Sequence, residues 1–459
     1  MTNLSLNFRN INRILSFNIL INFTCVLFIF VLGLLVFNCG IDAINESNVH
    51  NFQNIASDHL KKNKTNLNLI DYRLSNVTNL TNNNEDSIYG QVGSFEDNVY
   101  IVWEESVIES LPYHNYDIFF MKSEDNGKTF SKPLNLSNNT EFSERPQIAI
   151  SKGGIFVIWT DTTNSNNTKE VMFTKSEDNG KTFSKTIRLS NHSKDSYNPE
   201  ISVFNNNVYT VWQETGQNKQ VNNNGSIIFR SSVDRGNTFN HAIELVNNAK
   251  NAFPKINSYK SDVYVLWNNE NKKNGGIFFV KSQDKGNNFD KVIKLNENTN
   301  YGESQIAINQ NEILVVWGGL LTKNIEDLYY VKSNDTGNTF TSPNTFSTKI
   351  INSDSGNNYT KLYDIVKNPL NVEVINNNHL EFLVWQNSFS NQNEDILLLM
   401  PSSSYPDQNN YARLLNLSHN PSISECPSLA ISNNTVYIIW EDYINKNHEI
   451  LFAKVPFIS

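Results

Sequence analysis

The chain has 459 residues, enough for a large core, and its 46 Asp and Glu outnumber 37 Lys and Arg to leave a net charge of −9. It has no basic patch able to neutralise a run of phosphates, which excludes nucleic acid as a partner, and its three Cys are too few for a disulfide framework. Hydrophobic residues make up 39% and charged ones 18%, the rest being rich in Asn, Ser and Thr, which fits a folded protein with a polar surface.

The first element in chain order is apolar. Arg9 and Arg13 precede a stretch from Ile14 to Phe37, and its last part, Cys25 to Phe37, carries no charge. This pattern predicts a signal peptide or N-terminal membrane anchor over residues 1–43, with the Arg pair holding the N-terminus inside and the body outside. A polar linker, residues 44–71, separates it from a folded body over residues 72–459. The expected location is extracellular or at the cell surface, with the membrane touched only through the N-terminal segment.

Seven units follow. All seven Trp close the same local pattern, an aliphatic or Tyr run ending in Trp and a polar residue: Trp103, Trp159, Trp212, Trp267, Trp317, Trp385 and Trp440. Their spacing suits a propeller blade of several short strands. The second unit reads as an inner strand Gln147 to Ser151, a Trp strand Ile155 to Thr160, a third strand Val171 to Lys175 and a fourth Thr186 to Ser190. Between the third and fourth strands a turn recurs in five units: Ser123 to Phe130, Ser176 to Phe183, Ser232 to Phe239, Ser282 to Phe289 and Ser333 to Phe340. Each has Asp at its third position, Gly at its fifth and Phe at its eighth. The Asp can accept backbone N–H groups of the turn, the Gly takes positive φ, and the Phe packs back into the blade. Asp125, Asp178, Asp234, Asp284 and Asp335 are therefore read as structural.

The sixth unit departs from this scheme. Lys349 to Asn368 is an insertion before its inner strand, Val372 to Ile375, and Pro401 to Asn410 replaces its turn. The seventh unit stops after a third strand, Glu449 to Lys454, and Arg73 to Thr81 is the expected donor of its fourth. The fold class is thus all-β: a seven-bladed β-propeller of four-stranded blades, closed by an N-terminal strand that completes the last blade.

The recurring turn resembles the Asp box, or BNR repeat, of the sialidase (neuraminidase) superfamily, Ser-x-Asp-x-Gly-x-Thr-Trp/Phe. The resemblance covers five of seven units and a region from Leu74 to Ser459. It implies a propeller with its boxes on the face opposite the site, and a sialidase-type hydrolase holding its substrate carboxylate with three Arg beside an Asp acid and a Tyr activated by a Glu. In this sequence only Arg145, in Ser143-Glu-Arg-Pro-Gln-Ile, stands at the start of an inner strand. The first unit has Ser87-Ile88-Tyr89-Gly90 there, so the Arg triad is not found and no catalytic residue is assigned.

Two positions past each Trp, the period-two rule gives Glu105, Asp161, Glu214, Asn269, Gly319, Asn387 and Asp442, whose carboxylates are contiguous around units seven, one, two and three. With Glu144 and Arg145 from the loops leading into inner strands, Glu105, Asp161, Glu214 and Asp442 are the expected ligand-binding set. Such an arc suits a neutral sugar or a cationic group, and oxygen-rich arcs can also hold Ca²⁺. No metal site and no cofactor is expected, because His114, His192 and His241 lack ligand spacing. The function read from the sequence is a secreted or surface-anchored binding or adhesion module for a glycan or a cell-surface protein. The alternative is a glycoside hydrolase using carboxylates of the same face.

Overall fold

The computed structural model describes residues 77–457 apart from 108–114, 163–167, 192–193, 216–223, 251, 271–274, 297–300, 323–324, 347–349, 353–358, 362–365, 367–368, 391–392, 402–410, 421 and 445. The N-terminal segment, the linker and Arg73 lie outside the described residues.

Seven sheets, antiparallel but for one added strand pair in the sixth, follow one another along the chain. Blade 1 runs outward from Ser87–Phe95 through Asn98–Val107 and Asn115–Ser123 to Leu134–Asn135. The inner strands of blades 2 to 7 are Ser143–Ser151, Ser196–Phe204, Lys255–Tyr259, Tyr301–Asn309, Leu370–Asn377 and Ser424–Ser432. The second strand of every blade is buried on both faces, as in Gly154–Thr162, because neighbouring blades cover both. Each of the seven apolar clusters spans two successive blades. One joins Val92, Ile101 and Trp103 of blade 1 to Tyr437, Ile439 and Phe452 of blade 7. The core is therefore seven junctions rather than one centre.

The outer edge departs from the sequence reading in blade 6. Blade 6 is six-stranded, because Ile350–Asn352 pairs in parallel with Tyr411–Asn416 and adds Tyr359–Lys361 beyond it. The insertion expected there thus extends the sheet. On blade 7, Thr78–Asn79 pairs antiparallel with the outer side of Asn447–Pro456, with Thr78 opposite Phe452.

The boxes act between blades. Asp125 accepts N–H bonds from Lys128 and Thr129 and hydroxyl bonds from Ser123 and Thr129, holding its carboxyl well below the usual carboxylate range. Asp178 and Asp335 repeat this set, Asp234 keeps the Ser and Thr bonds, and Asp284 substitutes Asn288 for the Thr. The box Phe meets a third-strand Phe of the preceding blade edge-on in five pairs: Phe120–Phe183, Phe173–Phe239, Phe229–Phe289, Phe279–Phe340 and Phe452–Phe130. Their ring centres lie 4.9 to 5.1 Å apart. The box Gly closes the same contact, since a Cβ on Gly236, at φ +74°, would sit 2.6 Å from Phe173. Five junctions are clasped in this way, and the two flanking blade 6 have no box.

Candidate functional site

The strand register puts the boxes at one end of each blade and the start of the inner strand at the other, where Ser87 faces Glu105 and Ser123 faces Val99. At that second end a bulge interrupts several inner strands, and Tyr89, Arg145, Asn198, Asn371 and Cys426 stand in it with φ of 50°, 56°, 49°, 46° and 50°. Bulky residues seldom hold positive φ, so the surroundings must enforce it, and such bulges re-aim side chains.

Buried carboxyl groups do the enforcing in two blades. Glu441 accepts the backbone N–H of Tyr89 at 2.6 Å, and Glu104 accepts that of Arg145. Each carboxyl group belongs to the blade before the one it clamps. Glu104 and Glu441 are 2% and 4% exposed, and burial pushes both up to about 8 against the opposing pull of these N–H bonds and of Arg145. Above them the exposed Arg145 lies over the Tyr89 ring at 3.8 Å and donates to its hydroxyl at 3.2 Å. Asn371 reaches the Cys426 sulfur at 3.6 Å, and burial and the Glu441 charge push that thiol up. Residues of blades 6, 7, 1 and 2 thus form one cluster.

Half-buried aromatics border it: Tyr116 packs edge-on against Phe142 at 5.4 Å, and Lys169, paired with Glu144, lies 5.2 Å from the Tyr197 ring. On the other inner strands Lys255 bonds Glu200 at 2.5 Å and lies 3.9 Å from Glu303, while Gln305 bonds Glu373 at 3.0 Å. Burial works against the Lys255 charge, yet Glu200, Glu303 and Glu373 outweigh it and hold the ammonium above its usual range. Burial pushes Glu373 up to about 7.

The residues expected from the sequence are distributed differently. Arg145 is in the cluster and Glu144 is in its ion pair. The four carboxylates two positions past Trp turn with the indole into the blade junction, as the period-two rule requires, and there they cap it. Trp103, Trp159 and Trp212 donate their indole N–H to Glu105, Asp161 and Glu214 at 2.9, 3.4 and 3.3 Å. Asn83, Asn139 and Asn420 bond to Glu105, Asp161 and Asp442, tying down the loop before each inner strand. Asp161, Glu214 and Asp442 are buried, and burial pushes Asp161 up to about 6. These four groups are engaged within the blades rather than spread as an open arc. The carboxyl groups at the cluster are those directly after Trp, Glu104 and Glu441, which the sequence reading passed over. Their signal was Trp-Glu in these two units, against Thr160, Gln213, Asn268, Gly318 and Gln386 in the others.

Of the described arginines, Arg188 is in an outer strand, Arg230 bonds carbonyls of Leu189, Phe239 and Asn240, Arg235 bonds Lys152 and Gly153 at the box end, and Arg413 is in an outer strand of blade 6. Arg145 is thus the one arginine at this end among the described residues.

Residues 100–315 match the family of BNR repeat-like domains. No curated protein matches the chain. A solved protein of unknown function from Dyadobacter fermentans is similar over 84% of this chain and 99% of its own, at 11% identity and a TM-score of 0.50. A mutant Trypanosoma rangeli sialidase displaying trans-sialidase activity is similar over 70% of this chain, at 11% identity and a TM-score of 0.47; the chain covers 55% of that longer protein. The GH93 alpha-L-arabinofuranosidase of Fusarium graminearum is similar over 68% of this chain and 91% of its own, at 14% identity and a TM-score of 0.44. Boxes, blades and the match over residues 100–315 define a seven-bladed β-propeller built on BNR repeat-like units.

Proposed function

We propose that the end of the propeller bearing Tyr89 and Arg145 binds a glycan, and that the protein does so outside the cell, exported or anchored by its N-terminal segment. The observation that carries this reading is the Arg145–Tyr89 stack, an exposed planar donor on an aromatic face, with Tyr116, Phe142 and Tyr197 bordering it. Aromatic faces pack against the apolar faces of sugar rings, and a guanidinium supplies directed donors to hydroxyl or carboxylate oxygens. The bulge clamps pre-set both residues, which lowers the ordering cost of binding.

Binding is favoured over sialoside hydrolysis because an anionic sugar wants a cluster of guanidinium groups, and among the described residues this end has the single guanidinium of Arg145. Glu104 and Glu441 favour the second reading, a glycosidase. Carboxyl groups that keep their protons near neutrality have the chemistry of a general acid, although each is already engaged as a clamp.

A glycan array with the purified chain tests the first reading: binding that is lost in Arg145→Ala and in Tyr89→Ala, with unchanged melting temperature, is expected. Absence of any glycan signal would refute it. In parallel, a fluorogenic sialoside should release no sialic acid between acid and neutral pH, and turnover abolished by Arg145→Ala would reverse the conclusion. A panel of chromogenic glycosides decides the second reading, since activity removed by Glu104→Gln would establish it.

A further inference from the structure

The clasps between blades include a lysine at four junctions. Lys122, Lys175, Lys281 and Lys454 stand near the end of the third strand of their blades, and each sends its ammonium across to the box of the next blade. Lys122 donates to the Asn179 carbonyl at 2.7 Å, Lys175 to Asn237 Oδ1 at 2.7 Å, Lys281 to Asn338 Oδ1 at 2.6 Å and Lys454 to the Asn126 carbonyl at 2.6 Å. In the register these four face Tyr100, Phe156, Tyr264 and Tyr437. In blade 3 the same position, facing Tyr209, is Ser231.

The acceptors across that junction are built as at the others. Asn287, in the box of blade 4, donates its side-chain amide to the Asp284 carbonyl at 2.6 Å, as Asn237 and Asn338 do to Asp234 and Asp335. That bond turns Oδ1 outward in all three, and in Asn237 and Asn338 it is the atom that takes the lysine. The Tyr209 hydroxyl, buried behind Ser231, has no hydrogen-bond partner among the described residues, whereas those of Tyr100 and Tyr437 bond to Asn179 and Asn126 of the next box. A groove of roughly 560 Å³ lies at this place, lined by Ser231, Asn240, His241, Ile243, Gly286 and Asn287, with Arg230 at its edge. The Arg230 guanidinium is held by carbonyls, donating to Leu189 of blade 2 at 2.8 Å and to Asn240 and Phe239 of the groove wall at 2.8 and 3.1 Å, which fixes it in place rather than in the notch beside Ser231.

We propose that this notch between blades 3 and 4 binds a primary alkylammonium group, free or at the end of a lysine side chain of another protein. The ammonium takes the place that lysines fill at the other clasps, donating to Asn287 Oδ1, and its alkyl stem lies along Ile243. A carboxylate partner is not required, because Lys281 is held by amide and carbonyl oxygens alone.

The test is hydrogen–deuterium exchange of the full chain with n-butylammonium, with n-butanol as the uncharged control and a capped lysine peptide as the second source. Slower exchange in the turn around Gly286 and Asn287 is expected with both ammonium probes and not with butanol. Affinity should fall about tenfold in Asn287→Ala, which removes one charge-assisted acceptor. Ser231→Lys, which fills the notch from within, should protect the turn without any probe and abolish the response to it. No protection by either ammonium probe, equal protection by butanol, or an undiminished response in Ser231→Lys would overturn the proposal.

Discussion

Gly236→Ala separates the clasp contact from ordinary turn strain. The residue has φ +74°, so any Cβ carries a left-handed penalty of about 1 kcal/mol, and the new methyl would also lie 2.6 Å from the Phe173 ring. That ring cannot move aside freely, because it is 1% exposed and packed edge-on against Phe239 at 5.1 Å. Overpacking of this kind costs about 1 to 3 kcal/mol more. Gly153 is the natural control: its φ is +75°, but the nearest atom to a built Cβ is the Arg235 guanidinium at 3.9 Å, so Gly153→Ala carries the backbone penalty alone. Urea unfolding followed by the fluorescence of the core tryptophans should show the larger loss in Gly236→Ala, by about 1 to 3 kcal/mol. Adding Phe173→Leu, which withdraws the ring tip, should recover part of that loss as a coupling energy on the order of 1 kcal/mol. Equal costs for the two alanines, or a strictly additive pair, would refute the argument that the box glycine is required by the neighbouring blade.

Three further outcomes follow from the same description. Removing residues 73–81 should lower the melting temperature sharply by exposing the outer edge of Asn447–Pro456, and an unchanged value would deny Thr78–Asn79 a part in closing the ring. Asp178→Ala should lower the melting temperature while leaving glycan-array binding unchanged, since the box is at the far end of the blade; lost binding in a folded variant would contradict that placement. Glu104 and Glu441 keep their protons to about pH 8 when folded but lose them near 4.5 when unfolded, so their contribution is full below the unfolded value and declines as pH rises to the folded one. Glu441→Gln should therefore flatten the fall in stability across that window, and an unchanged slope would show that the group ionises freely.

The repeated parts of this molecule were legible in its sequence because they solve local problems. Ser, Asp, Gly and Phe in a box answer to the turn they form, and a Trp strand covered on both faces must be apolar throughout. The axial cluster was harder to see. Glu104 acts on a backbone N–H 41 positions away, and what makes that N–H available is the left-handed bulge at Arg145. Pro146, Pro199 and Pro427 each follow the left-handed residue of an inner strand and mark the same position, a cue that lies outside the period-two count. That count correctly put Glu105 and Asp161 on the side of their Trp, but which of two adjacent carboxyl groups meets the neighbouring blade's bulge and which meets the indole is decided by the register between strands. The fourth strand of blade 2 shows a related limit: of the expected Thr186 to Ser190 only Ile187–Arg188 is regular strand, followed by a single bond from the Leu189 N–H to the Val171 carbonyl, since an edge has a partner on one side.

The two plain junctions around blade 6 bear on how this ring can change. A clasped blade is held by an aromatic ring against a glycine in the next, so an added strand or a longer turn there would have to fit a fixed neighbour. Blade 6 has no box clasp at either side, and its junction with blade 5 mixes Leu383, Leu397 and Val316 with Trp385 and Phe346, an apolar packing that tolerates substitution better than a ring seated on a glycine. It is also the blade that has grown, by the strands Ile350–Asn352 and Tyr359–Lys361. New surface can accumulate in that sector while the clasped arc, from blade 7 through blade 1 to blade 5, keeps its geometry.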